Sequence, residues 1–279
     1  MIDEKVKIKE VRDLGSNNYL LTLSSPEQAR LARPGQFVML KCTEDVNESP
    51  LLRRPFTIFN IHSHARSGKP SGLELLIKDV GVGTSRLARL RPGQMIYCMG
   101  PLGHGFHIPT EIPRHAETAY LVAGGVGIAA LFLLAQALVA HHIRPILLYG
   151  GRSQNDLILC EYFERLGIEI HYVTEDGSGG ERGLVTEALS RFLKAHPRKP
   201  GRMCACGPWG MMRAAHEVAQ KFGLPCEVSL EARMGCALGA CLGCVIHGWD
   251  AQGEEQYIRV CQDGPVMLSS AVDWDTVPI

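Results

Sequence analysis

The chain has 279 residues, 46% apolar and 21% charged, with 29 basic residues against 29 acidic ones. A chain of this size buries a sizeable core and divides into two or three domains, while a balanced charge offers no basic field to nucleic acid or an acidic membrane surface, so neither partner is expected. Ten cysteines, behind a start that alternates charged and apolar residues and lacks a secretory core, point to the reducing cytoplasm, where thiolates are free for metal.

Residues 4 to 100 read as short strands broken by Gly, Pro, Asn or Ser: Lys5–Val11, Asn18–Leu23, Gln36–Cys42, Phe56–Ile61, Leu73–Asp79 and Met95–Gly100. Six strands at this spacing predict a small antiparallel β-barrel occupying residues 1–112. Within it, Arg53 and Arg54 precede a strand, behind Pro55, in the run Leu52-Arg-Arg-Pro-Phe56-Thr57-Ile58. A guanidinium binds oxyanions bidentately and keeps its charge, which suits a pyrophosphate; two arginines at a strand edge facing water are the plainer alternative. Further on, Lys78-Asp-Val-Gly-Val-Gly83-Thr84 leaves a strand and leads into Ser85–Leu90, which has helical spacing. Glycines at such a turn let backbone close on phosphate. Gly100-Pro-Leu-Gly-His-Gly-Phe106 then closes the barrel and passes through Pro109 and Pro113 into the next domain.

From Thr118 the pattern changes. Ala119 to Ala140 contains no charged residue and approaches membrane-spanning length, but Gly124-Gly125-Val126-Gly127 divides it into strand, turn and buried helix Ile128–Val139, so no transmembrane segment is expected. The glycine turn is of the dinucleotide phosphate type, although Ala129 and Ala130 stand where a last glycine would be sought. Strand Pro145–Tyr149, helix Glu161–Leu166, strand Glu169–Thr174, helix Leu184–Leu193 and strand Arg202–Cys206 follow, before Gly207-Pro208. This alternation predicts a Rossmann-like parallel sheet over residues 113–225, with a ligand at the carboxyl ends of its strands, near Gly124, Gly150, Glu175 and Gly207. Glu175 and Asp176 could accept ribose hydroxyls and repel a 2′-phosphate, favouring NAD over NADP.

The last expected unit, 226–279, carries the most specific pattern. Cys236, Cys241, Cys244 and Cys261 fall as Cys-x4-Cys-x2-Cys-x16-Cys, the plant-type spacing for a [2Fe–2S] cluster. Gly235, Ala237, Gly239, Ala240 and Gly243 leave room for backbone N–H groups to reach the sulfurs. Structural zinc prefers two short-spaced pairs, and a disulfide knot suits small secreted scaffolds. Cys42, Cys98, Cys160, Cys204, Cys206 and Cys226 lie in mostly apolar runs and read as packing residues. His62 and His64, near Arg66, and the His141-His142 pair have no third ligand close by and are read as solvated surface. No side-chain constellation for hydrolysis stands out.

Arg54-Pro55-Phe56-Thr57 resembles the Arg-x-aromatic-Ser/Thr box of ferredoxin–NADP reductase-like flavoproteins, and Gly83-Thr84 resembles their second FAD-pyrophosphate contact. Tyr149-Gly-Gly-Arg152 and Cys206-Gly-Pro-Trp-Gly-Met-Met212 look like the nicotinamide loops of that superfamily, and Ala130 stands where relatives often carry proline. Taken with the four cysteines, the chain resembles, over nearly its full length, the electron-transfer subunits of class 1B dihydroorotate dehydrogenases, from which Ala237 departs where glycine is usual. If that position needs positive φ, its methyl costs stability.

The resemblance implies that Arg54, Pro55, Phe56, Thr57, Leu76, Ile77, Lys78, Gly83 and Thr84 hold FAD, that Gly124, Gly125, Gly127, Gly207 and Pro208 hold NAD, a diffusible substrate, and that the four cysteines hold the cluster. It further implies a catalytic FMN-containing dihydroorotate dehydrogenase partner in a heterotetramer of two plus two subunits, whose electrons reach NAD⁺ through the [2Fe–2S] cluster and then FAD. Two alternatives stand beside it: a ferredoxin- or sulfide-type NAD(P)H reductase subunit with the same cofactors, and a non-enzymatic zinc-binding interaction module.

Overall fold

The computed structural model describes residues 1–43, 48–64, 67–109, 118–196 and 201–276. Pro113, Arg66 and the expected boundary at 112/113 lie outside them. The amino-terminal region is a closed barrel of β1 (Ile2–Gly15), β2 (Asn18–Ser24), β3 (Phe37–Leu40), β4 (Arg54–Ser63), β5 (Pro70–Lys78) and β6 (Met95–Leu102), in the order β1-β2-β5-β4-β3-β6. Every neighbouring pair is antiparallel. The alternation of side chains along a strand produces two buried faces: on β5, Leu73, Leu75 and Ile77 fill the barrel, while Leu76 joins a different core with Leu20 and Phe59. Two short helices, α1 (Pro26–Leu31) and α2 (Val82–Ala88), flank the barrel.

That second core is shared with the next region. Phe59 stacks on Phe132 with ring centroids 4.9 Å apart and meets Tyr162 edge-on at 4.8 Å. Arg12 donates to the Tyr162 hydroxyl at 3.1 Å and lies 3.6 Å from Glu161. The barrel is therefore joined to the nucleotide-type sheet by burial.

The sheet comprises β7 (Thr118–Gly124), β8 (Arg144–Gly151), β9 (Glu169–Thr174), β10 (Glu181–Arg182), β11 (Gly201–Cys206), β12 (Cys226–Ser229) and, far along the chain, β15 (Val266–Leu268), ordered β10-β9-β8-β7-β11-β12-β15. All pairs are parallel except β12 with β15. Its helices are α3 (Phe132–Ala140), α4 (Cys160–Glu164), α5 (Val185–Ala195) and α6 (Trp209–Phe222).

Two local differences from the sequence reading have physical causes. The expected helix Ile128–Val139 is split into a 3₁₀ turn, Gly125–Ala130, and α3. A Cβ on Gly127 would lie 2.2 Å from the Cys206 carbonyl oxygen, so the turn is pressed against β11 and winds tightly. The run Trp209–Met212, read as part of a loop, opens a helix that continues through residues to which the sequence reading assigns no element; Met212, Ala215 and Ala219 form its buried stripe and Gly223 at φ 66° ends it.

Residues between β12 and β15 form an excursion from the sheet, containing the hairpin β13 (Val245–Trp249)–β14 (Glu255–Arg259) and the short α7 (Val260–Asp263). The four patterned cysteines lie within this excursion. Its return is pinned to the barrel: His104 N–H donates to the Gly264 carbonyl at 2.6 Å, and a Cβ on Gly103, where φ is 74°, would lie 2.5 Å from Pro265 Cδ. No helix among the described residues is long and apolar enough to cross a membrane.

Candidate cluster loop and nucleotide cleft

The loop from Met234 to Cys244 has almost no regular structure and is shaped by backbone reaching for sulfur. Leu238 N–H donates to Cys236 Sγ at 3.3 Å and Cys241 N–H to the same sulfur at 3.4 Å, while Cys236 N–H reaches Cys241 Sγ at 3.5 Å. Cys261, at the start of α7, donates from its N–H to Cys244 Sγ at 3.4 Å. The thiols thus form two pairs, Cys236 with Cys241 and Cys244 with Cys261. The turns that bring them together are left-handed at Gly239 (φ 78°) and also at Ala237 (φ 58°) and Leu242 (φ 57°), so the strain anticipated for Ala237 is present.

The electrostatics of the two pairs differ. The N–H groups of Leu238 and then Cys241 pull the Cys236 thiol down to about 6, because they favour the thiolate. Burial pushes Cys261 up to about 12, reinforced by the adjacent Cys244. Two thiol pairs with N–H donors are a donor set fitted to two irons, each taking two thiolates. Cys241 is exposed, flanked by exposed Leu238 and Leu242, whereas Cys244 and Cys261 are buried. Cys236 is half-buried, and of the six cysteines outside the pattern all are buried except Cys160, which is half-buried. Burial raises the Cys42, Cys98, Cys160, Cys206 and Cys226 thiols, as packing residues require.

At the barrel, the two arginines separate in role. Arg53 forms a bidentate pair with Asp3, both contacts 2.8 Å. Arg54 meets only backbone carbonyls, those of Leu52 at 2.8 Å and Arg53 at 3.4 Å, leaving it without a carboxylate among the described residues. A Cβ on Gly83 would lie 3.4 Å from Arg54 Nε, so the two sequence-distant elements meet in space. Thr84 Oγ1 accepts from Val80 N–H at 2.9 Å and Gly81 N–H at 3.0 Å, holding the turn that begins α2. Pro55, Phe56 and Thr57 are half-buried on β4, and Leu76 is buried towards the sheet. Ile77 has its side chain wholly inside the barrel. A guanidinium with no carboxylate partner among the described residues, beside a glycine turn, fits a pyrophosphate such as that of FAD.

A cavity of about 620 Å³ opens at the carboxyl ends of β7, β8, β9 and β11 and is walled on one side by Lys78 of β5. It gathers Gly124, Gly125, Gly207 and Pro208 from the sequence reading, together with Gly150 and Glu175. Close approach explains the glycines: a Cβ on Gly207 would stand 3.0 Å from Gly124 Cα, and one on Gly124 would meet Met211 Sδ at 2.6 Å. Gly127 lies behind the cavity wall, where it lets the turn touch β11. The Tyr149 hydroxyl lies within hydrogen-bond distance of the Asp156 carbonyl, 2.9 Å, and the Gly125 carbonyl, 3.1 Å, between which its one proton is shared, tying the phosphate-type turn to the loop after β8.

Asp156 and Glu231 line the cavity without having been singled out for it by sequence. Asp156 could have been suspected from its i,i+4 spacing to Arg152; nothing local marks Glu231. Glu231 is accessible from the cavity yet enclosed by protein on its other sides, and that desolvation raises its carboxyl. Asp176, which sequence had paired with Glu175, is turned away, accepting from Ser178 N–H at 2.9 Å and Ser178 Oγ at 2.7 Å.

Three families match in chain order: residues 5–107 an oxidoreductase FAD-binding domain, 121–217 an oxidoreductase NAD-binding domain, and 231–273 the iron-sulfur cluster binding domain of dihydroorotate dehydrogenase B. A curated relative from Desulforamulus reducens, "Dihydroorotate dehydrogenase B (NAD(+)), electron transfer subunit", is 36% identical over 96% of this chain and 97% of its own. The chain belongs to the dihydroorotate dehydrogenase B electron-transfer subunit family. A Bacillus cereus member of that family, bearing the same name, is 35% identical over 91% of this chain and 92% of its own. Among solved structures, the NADH-dependent reduced ferredoxin-NADP oxidoreductase superposes with a TM-score of 0.81 at 30% identity, covering 97% of this chain and 90% of that one. A Neisseria gonorrhoeae ferredoxin NADP⁺ reductase shares the fold, with a TM-score of 0.61 at 20% identity over 79% of this chain and 92% of that one. This family member is accordingly an oxidoreductase subunit with FAD-, NAD- and iron–sulfur-binding domains, and the reading as a non-enzymatic zinc module is set aside.

Proposed function

We propose that this chain is the electron-transfer subunit of a dihydroorotate dehydrogenase B, working in the cytoplasm with a catalytic FMN-containing subunit in a two-plus-two assembly. The observation that carries the reading is the ordered succession of barrel, nucleotide cleft and paired-thiol loop, matched end to end by relatives of that name.

When bound, the cluster supplies one-electron transfer and FAD supplies the exchange between single electrons and the hydride of a nicotinamide, chemistry that belongs to the cofactors. The protein's part is placement and electrostatics. Cys236, Cys241, Cys244 and Cys261 hold the cluster, and the N–H groups of Leu238, Cys241 and Cys261 offset its negative charge. Arg54 and the Gly83–Thr84 turn hold the FAD pyrophosphate, with Pro55, Phe56, Thr57 and the Leu76–Lys78 end of β5 lining the rest of that site. The Gly124–Gly127 turn and Gly207-Pro208 hold NAD at the strand ends. Leu238 and Leu242, exposed on the same loop as Cys241, give an apolar edge suited to the partner subunit.

Co-expression with the catalytic subunit tests this. NADH formation that depends on dihydroorotate, with native mass showing two copies of each chain, is the expected result. The resemblance to the ferredoxin-NADP oxidoreductase favours one other reading, a ferredoxin-coupled reductase subunit. Silence with dihydroorotate together with turnover on reduced ferredoxin would establish that one instead.

A further inference from the structure

The cleft contains an arrangement bearing on which nicotinamide dinucleotide it takes, a question resting on the assignment of this cavity to NAD. In open parallel sheets with a glycine turn, the residues at the end of the neighbouring strand meet the adenosine ribose: a carboxylate accepts the 2′-hydroxyl, or an arginine accepts a 2′-phosphate. The chain places both kinds of residue there. Arg152 follows β8 directly, and Asp156 stands one turn later.

The geometry resolves the conflict. Arg152 Nε donates to Asp156 Oδ2 at 2.9 Å, Nη2 to Oδ1 at 3.2 Å, and the Arg152 backbone N–H to Oδ2 at 3.1 Å. The Asp156 side chain is only 13% exposed, so the pair is anchored from its acidic end. Glu175 adds a second carboxylate to the electrostatic surroundings of Arg152, and backbone bonds from Glu175 N–H to Gly151 O and from Asp176 N–H to Arg152 O, 3.1 and 3.2 Å, hold the end of β9 against this loop. The charged groups lining the cavity are Lys78 and Arg152 against Asp156, Glu175 and Glu231. Lys78 belongs to the barrel wall, on the flavin side.

We propose that the Arg152–Asp156 pair, with Glu175 beside it, is the element by which this cleft selects a dinucleotide without a 2′-phosphate. The cation in place to receive that phosphate is already held bidentately, and a dianion arriving there meets two carboxylates. Asp156 is thus a specificity-determining residue acting through Arg152, and Glu175 contributes directly.

The test uses the FAD- and cluster-containing protein with two readouts: calorimetric binding of 2′,5′-ADP against 5′-AMP, and kcat/KM for NADH against NADPH with ferricyanide as acceptor. Wild type should bind 5′-AMP more tightly and prefer NADH. Asp156→Asn should shift both ratios about tenfold towards the 2′-phosphorylated compound, the size of one charge-assisted contact. Arg152→Ala combined with Asp156→Asn should abolish that gain, because the gain runs through the released guanidinium. Glu175→Gln, which breaks no side-chain hydrogen bond among the described residues, should shift the ratios in the same direction if Asp156→Asn fails to fold. Unchanged ratios in the folded single variants, a gain that survives in the double variant, or a wild type preferring NADPH would overturn the proposal. A wild type that binds neither probe and is reduced by neither nucleotide would instead overturn the assignment of the cavity to NAD.

Discussion

The nucleotide cleft and the cluster loop reach a ligand-ready form by opposite means. The cleft is made by packing: glycines pressed onto neighbouring backbone, strand ends fixed by a parallel ladder, and a tyrosine hydroxyl bridging two loops. The loop is made by a few N–H···S contacts across left-handed turns, two of them at residues with side chains. The first keeps its shape through burial; the second holds strained turns whose compensation lies in the metal bonds it would form. Loss of a ligand should therefore disturb the loop far more than the cleft.

The sharpest way to break this contrast is Cys244→Ser. It removes one thiolate from the buried pair, and the expected outcome is complete loss of cluster absorbance with flavin absorbance retained; an unchanged visible spectrum would refute the ligand set. Next is Gly127→Ala, which forces a methyl to within 2.2 Å of the Cys206 carbonyl oxygen. Overpacking of this kind costs about 3 kcal/mol, measurable as a lower midpoint in denaturant, and should weaken NADH binding while the cluster remains. Arg54→Ala tests the barrel site, outside both regions: losing a charge-assisted contact worth about 2 kcal/mol should lower FAD affinity roughly thirtyfold, read by flavin release on dilution. The smallest effect is a gain. Ala237→Gly relieves a φ of 58° and, after glycine's extra unfolded-state entropy is subtracted, should stabilise the loop by about 1 kcal/mol, slowing cluster loss to a chelator.

The same contrast explains how much could be read from sequence. Barrel strands and the alternating units announced themselves through period-two patterns and glycine turns, and the cysteines through spacing, because each signal is local. What escaped was built from distance. The β12–β15 pairing joins residues some forty positions apart in sequence, and the separation of Arg53 from Arg54 depends on Asp3, 50 positions earlier in the chain. The tight 3₁₀ winding around Gly127 arises because β11 lies against it, which no window around residue 127 contains. The start of helix α6 reads as loop because Gly207, Pro208 and Gly210 cluster there.

One contact has a wider consequence. Where the barrel ends, Gly103 and His104 grip Gly264 and Pro265, only three or four residues beyond Cys261. This seam ties the barrel to the segment after the last patterned cysteine without crossing the cleft. The thiol loop is thereby referenced to the barrel and not only to the sheet from which it departs.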